Sequence, residues 1–163
     1  MAQAAETQAL FGLEDLERAA DTVYGVMPPT PQYAWPLLAH ELGCEVWVKH
    51  ENHTPTGAFK VRGGLVMMKG LAERLPSGSG VISATRGNHG QSMAFAAARY
   101  GLACTIVVPE GNSREKNAAM RAFGADLYPD EEEEDLAEDD VLEVVLGAVV
   151  LELDVQAVLD AHL

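Results

Sequence analysis

The chain has 163 residues, 48% of them hydrophobic, and a net charge of −14; that length suits one domain with a real core, since a chain of about 150 residues buries roughly 70% of its unfolded surface. The charge is lopsided, because residues 1–129 carry 12 acidic and 11 basic residues while residues 130–163 carry 13 acidic and none basic; with no basic patch, a nucleic-acid partner is excluded. No apolar run approaches the roughly 20 residues that span a bilayer, and the polar start shows no leader pattern, so a cytoplasmic protein without a membrane partner is expected. Cys44 and Cys104 have no metal-ligand spacing and read as two buried cytosolic thiols, with no metal expected.

In chain order, residues 13–23 read as an amphipathic helix, with Leu13, Leu16, Ala19, Ala20 and Val23 at helical spacing. Pro28, Pro29, Pro31 and Pro36 turn the next stretch into a loop. A short helix over 37–42 ends at Gly43, and the alternation of residues 45–49 suits a strand. The turn Thr54-Pro55-Thr56-Gly57 leads into a helix over about 58–75. A short apolar strand over 81–84 runs into a helix over about 88–100 that closes at Gly101. A second strand over 103–108, a helix capped by Ser113 and ended by Gly124, and a short strand over 125–128 complete the series. Strands alternating with helices across short turns predict an α/β fold, with an open parallel sheet flanked by helices. Residues 130–140 hold nine acidic residues in eleven, so a packed element there is not expected. The apolar stretch over 141–163 suits either a helix or a pair of strands.

Two places carry chemistry. Lys60 falls in the first turn of a helix reached through the Pro-Thr-Gly turn, where the helix dipole disfavours a cation. That field, with burial, would ease loss of the ammonium proton and leave the neutral amine that a Schiff base requires. On its own, such a lysine is more often a solvated surface residue. The second place is Ser83-Ala84-Thr85-Arg86-Gly87-Asn88-His89-Gly90, where a strand ends, two glycines free the backbone and a helix begins. Backbone amides there suit a carboxylate or phosphate, and ligands of open parallel sheets favour this end of the strands. The plainer reading is a strand-to-helix turn capped by Asn88.

Taken together the two places resemble a known family. The run from Glu51-Asn52-His53 through Thr54-Pro55-Thr56-Gly57-Ala58-Phe59-Lys60 to Val61-Arg62-Gly63 looks like the cofactor-lysine motif of threonine and serine dehydratases, serine racemases and related fold-type II pyridoxal-phosphate enzymes. Residues 83–90 look like their Ser-x-Gly-Asn-His loop, and Ile106-Val107-Val108-Pro109 and residues 116–125 resemble the strand and helix that follow. The resemblance covers residues 13–128 and implies a truncated tryptophan-synthase-β-like fold. In it, residues 1–62 would be the start of the large cofactor domain and 63–128 a small parallel α/β domain, followed by an acidic and apolar tail over 129–163.

The resemblance also implies roles. Lys60 would bond the aldehyde of pyridoxal 5′-phosphate and later move the substrate's Cα proton. Phe59 would pack on the pyridine ring, and Asn88 would hydrogen-bond the 3′-oxygen. Ser83, Arg86, Gly87 and His89 would face the substrate, a small hydroxy amino acid such as threonine or serine, gripped by its carboxylate. Loss of hydroxide from Cβ would then yield a 2-oxo acid and ammonia. Arg86 stands where serine racemases carry a serine, which argues against racemisation because a guanidinium keeps its proton. It pairs with a second carboxylate, as in a hydroxyaspartate, or is an exposed cation. Residues 129–163 hold one glycine, Gly147, and no basic residue, so nothing there resembles the family's glycine-rich phosphate loop. Truncation, frameshift, fusion and a divergent end all fit such a tail. The alternative to a working lyase is a folded but inactive fragment or interaction module. Large-domain surfaces left without partners favour a homo-oligomer.

Overall fold

The computed structural model describes residues 11–128 together with the backbone of a short strand at 148–150. Helix α1, Leu13–Tyr24, starts at Gly12, whose amide donates to the Asp15 carboxylate at 2.7 Å. Only Val23 of this helix is buried, and Leu13 and Leu16 are exposed. The expected apolar stripe therefore meets the core only at its C-terminal end.

The proline-rich stretch holds an element that its sequence did not announce. Gln32–Ala34 forms strand β1, which pairs antiparallel with β2, Trp47–Lys49, in the register Gln32 to Lys49. Pro31 and Pro36 flank the strand rather than enter it, so no ladder donor is lost. Between the two strands lies α2, Pro36–Leu42, closed by Gly43 at φ 68°. None of the residues of α2 is buried. An open groove of about 450 Å³ runs between Trp35, Leu37, Leu38, Glu41, Val48 and His50.

A turn of 3-10 helix, Glu51–His53, leads to the Thr-Pro-Thr-Gly turn and then to α3, Lys60–Ala72. The sheet follows: β3 (Gly80–Ala84), α4 (Asn88–Tyr100), β4 (Ala103–Val107), α5 (Arg114–Ala122) and β5 (Asp126–Tyr128). These bounds lie close to the sequence expectation. The Ser113 hydroxyl caps α5, as expected, by accepting from the Lys116 amide. Strand β6, Ala148–Val150, adds to the far side of β3, giving the order β5-β4-β3-β6 with every neighbour parallel. The fold is the α/β parallel sheet with helices that was expected. The acidic run at 130–140 and the rest of the apolar end, for which no packed element and a helix or strand pair were expected, lie outside the described residues.

The core forms where α3 and α4 close on each other and on the sheet. Val61, Leu65 and Met68 of α3 meet Met93, Ala96 and Ala97 of α4, with Val81, Cys104, Ile106 and Met120 beyond. Each large apolar side chain buried this way contributes about 1.5–3 kcal/mol. Cys104 is buried, but Cys44 is exposed, which corrects the expectation of two buried thiols. Among the described residues no helix is long and apolar enough to cross a membrane.

Candidate active site

Lys60 is the first residue of α3, and the turn before it is held from within. The Ala58 amide donates to the Thr54 hydroxyl oxygen at 2.9 Å, and that hydroxyl donates back to the Ala58 carbonyl at 2.9 Å. Thr54 and Thr56 are buried, and the Gly57 amide closes on the Thr54 carbonyl at 2.9 Å. Gly57 sits at φ 65°, a left-handed conformation that glycine adopts without strain.

The same turn is clamped from outside. Glu51 precedes it and Arg62 follows it, and the guanidinium donates to both carboxylate oxygens at 2.8 and 2.9 Å. Thr30 donates its hydroxyl to Glu51 at 2.6 Å, which ties the segment before β1 into the clamp. The hydrogen bonds from Arg62 outweigh partial burial and, with Thr30, hold the Glu51 carboxyl at about 2, well below the usual carboxylate range. Glu51 and Arg62 were legible as part of a motif but had no assigned role. Their pairing is a bidentate geometry that fixes direction as well as charge.

Lys60 itself is exposed. Its amine lies 5.5 Å from the centre of the Phe59 ring, and Phe59 is 60% exposed. Both side chains face open space rather than core, as a residue pair that meets a ligand would.

The second place is built at the C-terminal end of β3. Ser83 lies within that strand with its side chain buried, in register with Ile106. The Thr85 amide makes the last strand bond, to Val107 at 3.0 Å. The chain then leaves the sheet, so Thr85, which the sequence reading did not single out, opens the loop. Gly87 caps α4, and Asn88 is its first helical residue rather than its cap. Gly87 is buried, and a Cβ on it would come within 2.9 Å of Lys116 Cδ and 3.2 Å of its amine. Lys116, from the start of α5, thus lies across the loop, a neighbour that no sequence signal revealed. Arg86 and Asn88 are exposed and His89 is partly buried. Among the described residues no carboxylate lies within ion-pair distance of Arg86 or Lys116.

The two places meet. The Ser92 hydroxyl, in the second turn of α4, donates to the Lys60 carbonyl at 2.7 Å. The backbone at the start of α3 therefore abuts the second turn of α4, the helix that follows the loop. Among the described residues no group of three or more His, Cys, Asp or Glu side chains could hold a metal.

The chain is similar to known proteins. The family described as "Pyridoxal-phosphate dependent enzyme" matches residues 23–147. The biosynthetic L-threonine dehydratase IlvA of Pasteurella multocida is 38% identical over 105 residues, covering 64% of this chain and 20% of that protein. Serine racemase of Bos taurus is 31% identical over 133 residues, covering 80% of this chain and 40% of that protein. The crystal structure of a pyridoxal 5′-phosphate-dependent aspartate racemase superposes with a TM-score of 0.74 at 29% identity, covering 88% of this chain and 46% of that one. The chain thus spans less than half the length of each of these relatives.

Proposed function

The chain belongs to the pyridoxal-phosphate dependent enzyme family, and from that membership we propose that it carries the cofactor-lysine part of an ammonia-lyase acting on a hydroxy amino acid such as threonine or serine. The products are a 2-oxo acid and ammonia. The observation that supports the reading is the Ser92–Lys60 bond of 2.7 Å, which joins the start of α3 to α4. The fold and the cofactor class, pyridoxal 5′-phosphate, follow from the family; the substrate is the proposal.

The residues fit the aldehyde end of the cofactor. Lys60 has an exposed amine on a rigidly held backbone, Phe59 offers an exposed ring next to it, and Asn88 stands at the start of the adjacent helix. For the phosphate end, no glycine-rich loop occurs among the described residues. When bound, the cofactor supplies an electron sink for negative charge at the substrate's Cα. Lys60 would hold it, and its amine would accept the Cα proton. The segment from Ser83 to His89, in which the loop closes at Gly87, takes the substrate carboxylate. Arg86, exposed and without an ion-pair partner among the described residues, is placed to meet a second carboxylate, which would favour a hydroxyaspartate.

The same proposal divides the chain at 62/63 into a large-domain start and a small α/β domain, a boundary that passes through the first turn of α3. It includes self-association, supported by the exposed Tyr33, Trp35, Leu37, Leu38, Leu42 and Trp47. A second reading is an inactive fragment or interaction module of the same fold, in which no glycine-rich phosphate loop is needed among the described residues.

One experiment separates them. Purified chain is mixed with pyridoxal phosphate, reduced with borohydride and digested, and the modified peptide is mapped. Label at Lys60 that is lost in Lys60→Ala supports the lyase reading, and formation of 2-oxo acid from serine or threonine completes it. Absence of label at every cofactor concentration leaves the inactive fragment.

A further inference from the structure

We infer that Ser92 is a positioning residue for the Lys60 amine, setting how far it stands from Asn88 and the anion loop. The inference rests on the reading of Lys60 as the cofactor lysine. Ser92 is fully buried, and its side chain donates to the Lys60 carbonyl at 2.7 Å. In a regular helix that carbonyl already accepts from the amide four residues on, so the bond to Ser92 is an additional one, between helices. It pins the peptide from which the lysine side chain grows.

Gly64 makes the approach possible. It lies one turn after Lys60 on the same face of α3, and a Cβ there would come within 2.3 Å of Ser92 Oγ and 3.0 Å of the Ser92 carbonyl oxygen. The helices thus touch backbone to backbone at Ser92. Gly63, next in sequence, would meet nothing within 4 Å, so the close approach accounts for one glycine of the pair and not the other.

On α4 the same spacing recurs. Asn88 and Ser92 are four residues apart and share a face, about 6 Å along the axis. The start of α3 is therefore docked one turn below Asn88. The lysine backbone is fixed in that register, and only the side-chain torsions of Lys60 remain to be chosen. Removing the hydroxyl frees the first turn of α3 to move relative to α4 without removing any group that touches cofactor or substrate.

The test uses the full chain and three variants. Ser92→Ala removes the donor, Ser92→Cys keeps a weak one, and Leu127→Ala weakens the fold from a buried site in β5, on an edge of the sheet. Borohydride-trapped pyridoxal phosphate is mapped at Lys60 against the other lysines over a pH series, at equal folded fraction. A displaced reacting group can cost up to about a hundredfold, and Ser92→Ala is expected to lose about tenfold in Lys60 labelling. Ser92→Cys is expected to fall between, and Leu127→Ala to label like the parent. Labelling of Ser92→Ala at the parent rate and pH profile, or an equal fall in Leu127→Ala, overturns the inference. Should the parent itself take no label at Lys60, the lyase reading fails and a cofactor-free readout decides Ser92. Lysines are then dimethylated with ¹³C and the Lys60 resonance is assigned with Lys60→Arg. Its merging with the solvent lysines in Ser92→Ala alone upholds the positioning role, and an unchanged resonance refutes it.

Discussion

Glu51 offers a quantitative check on the clamp that orients the lysine turn. Its carboxyl is held at about 2 against a reference of 4.5 by the bidentate bond from Arg62 and the Thr30 hydroxyl. Each unit of difference corresponds to about 1.4 kcal/mol, so the shift corresponds to about 3 kcal/mol at most. The two side chains are 21% and 24% exposed, and screening by water lowers the expected contribution to about 1–2 kcal/mol. The sign follows from linkage: a depressed carboxyl stabilises the fold above its unfolded value and loses that contribution as pH falls through its folded value. Urea unfolding of the parent and of Glu51→Gln should therefore differ by about 1–2 kcal/mol at neutral pH. The gap should hold down to about 4.5 and shrink as pH falls toward 2. Groups elsewhere, including the acidic tail, cancel in the comparison. No gap at neutral pH, or one that is constant across that window, refutes the clamp.

The glycine pair in α3 gives a second check. Gly64→Ala should destabilise by about 1–3 kcal/mol through overpacking, because its Cβ would meet the Ser92 backbone as well as its hydroxyl. Gly63→Ala should instead stabilise by up to about 1 kcal/mol, and urea midpoints of the two variants decide; a shift of the same sign in both contradicts the packing. The cysteines give a third. Burial, with a smaller effect of Asp126, pushes the Cys104 thiol up to about 12, so iodoacetamide should modify exposed Cys44 in the native chain and reach Cys104 only on unfolding. Mass spectrometry of the alkylated peptides reads this, and equal native rates would be inconsistent with the buried position.

The places where reading and structure part share a pattern. Strand β1 escaped notice because three residues between prolines carry no periodicity, and its ladder with β2 spans an intervening helix. Leu13 and Leu16 look like core by spacing, yet spacing says only which residues share a face, and here that face meets α3 at Val23 alone among buried residues. The exposure of Lys60 likewise depends on what packs above it, which its motif does not state.

What the amino-acid sequence determined alone is the part governed by short-range backbone chemistry. Gly101 at φ 71° ends α4, Gly43 at φ 68° ends α2 and Ser113 caps α5, each through backbone geometry or bonds set within a few residues. The motif order placed Lys60 at a helix start and Asn88 at another. Tertiary structure alone decided that these two starts adjoin, that Ser92 grips the lysine's carbonyl, that Lys116 crosses Gly87 and that β3 lies inside the sheet with β6 beyond it. Those contacts join residues about 30 or more apart for which no local preference exists; they form because α3 and α4 bury their apolar faces together, and the close approach that this burial drives selects the polar bonds at its edge.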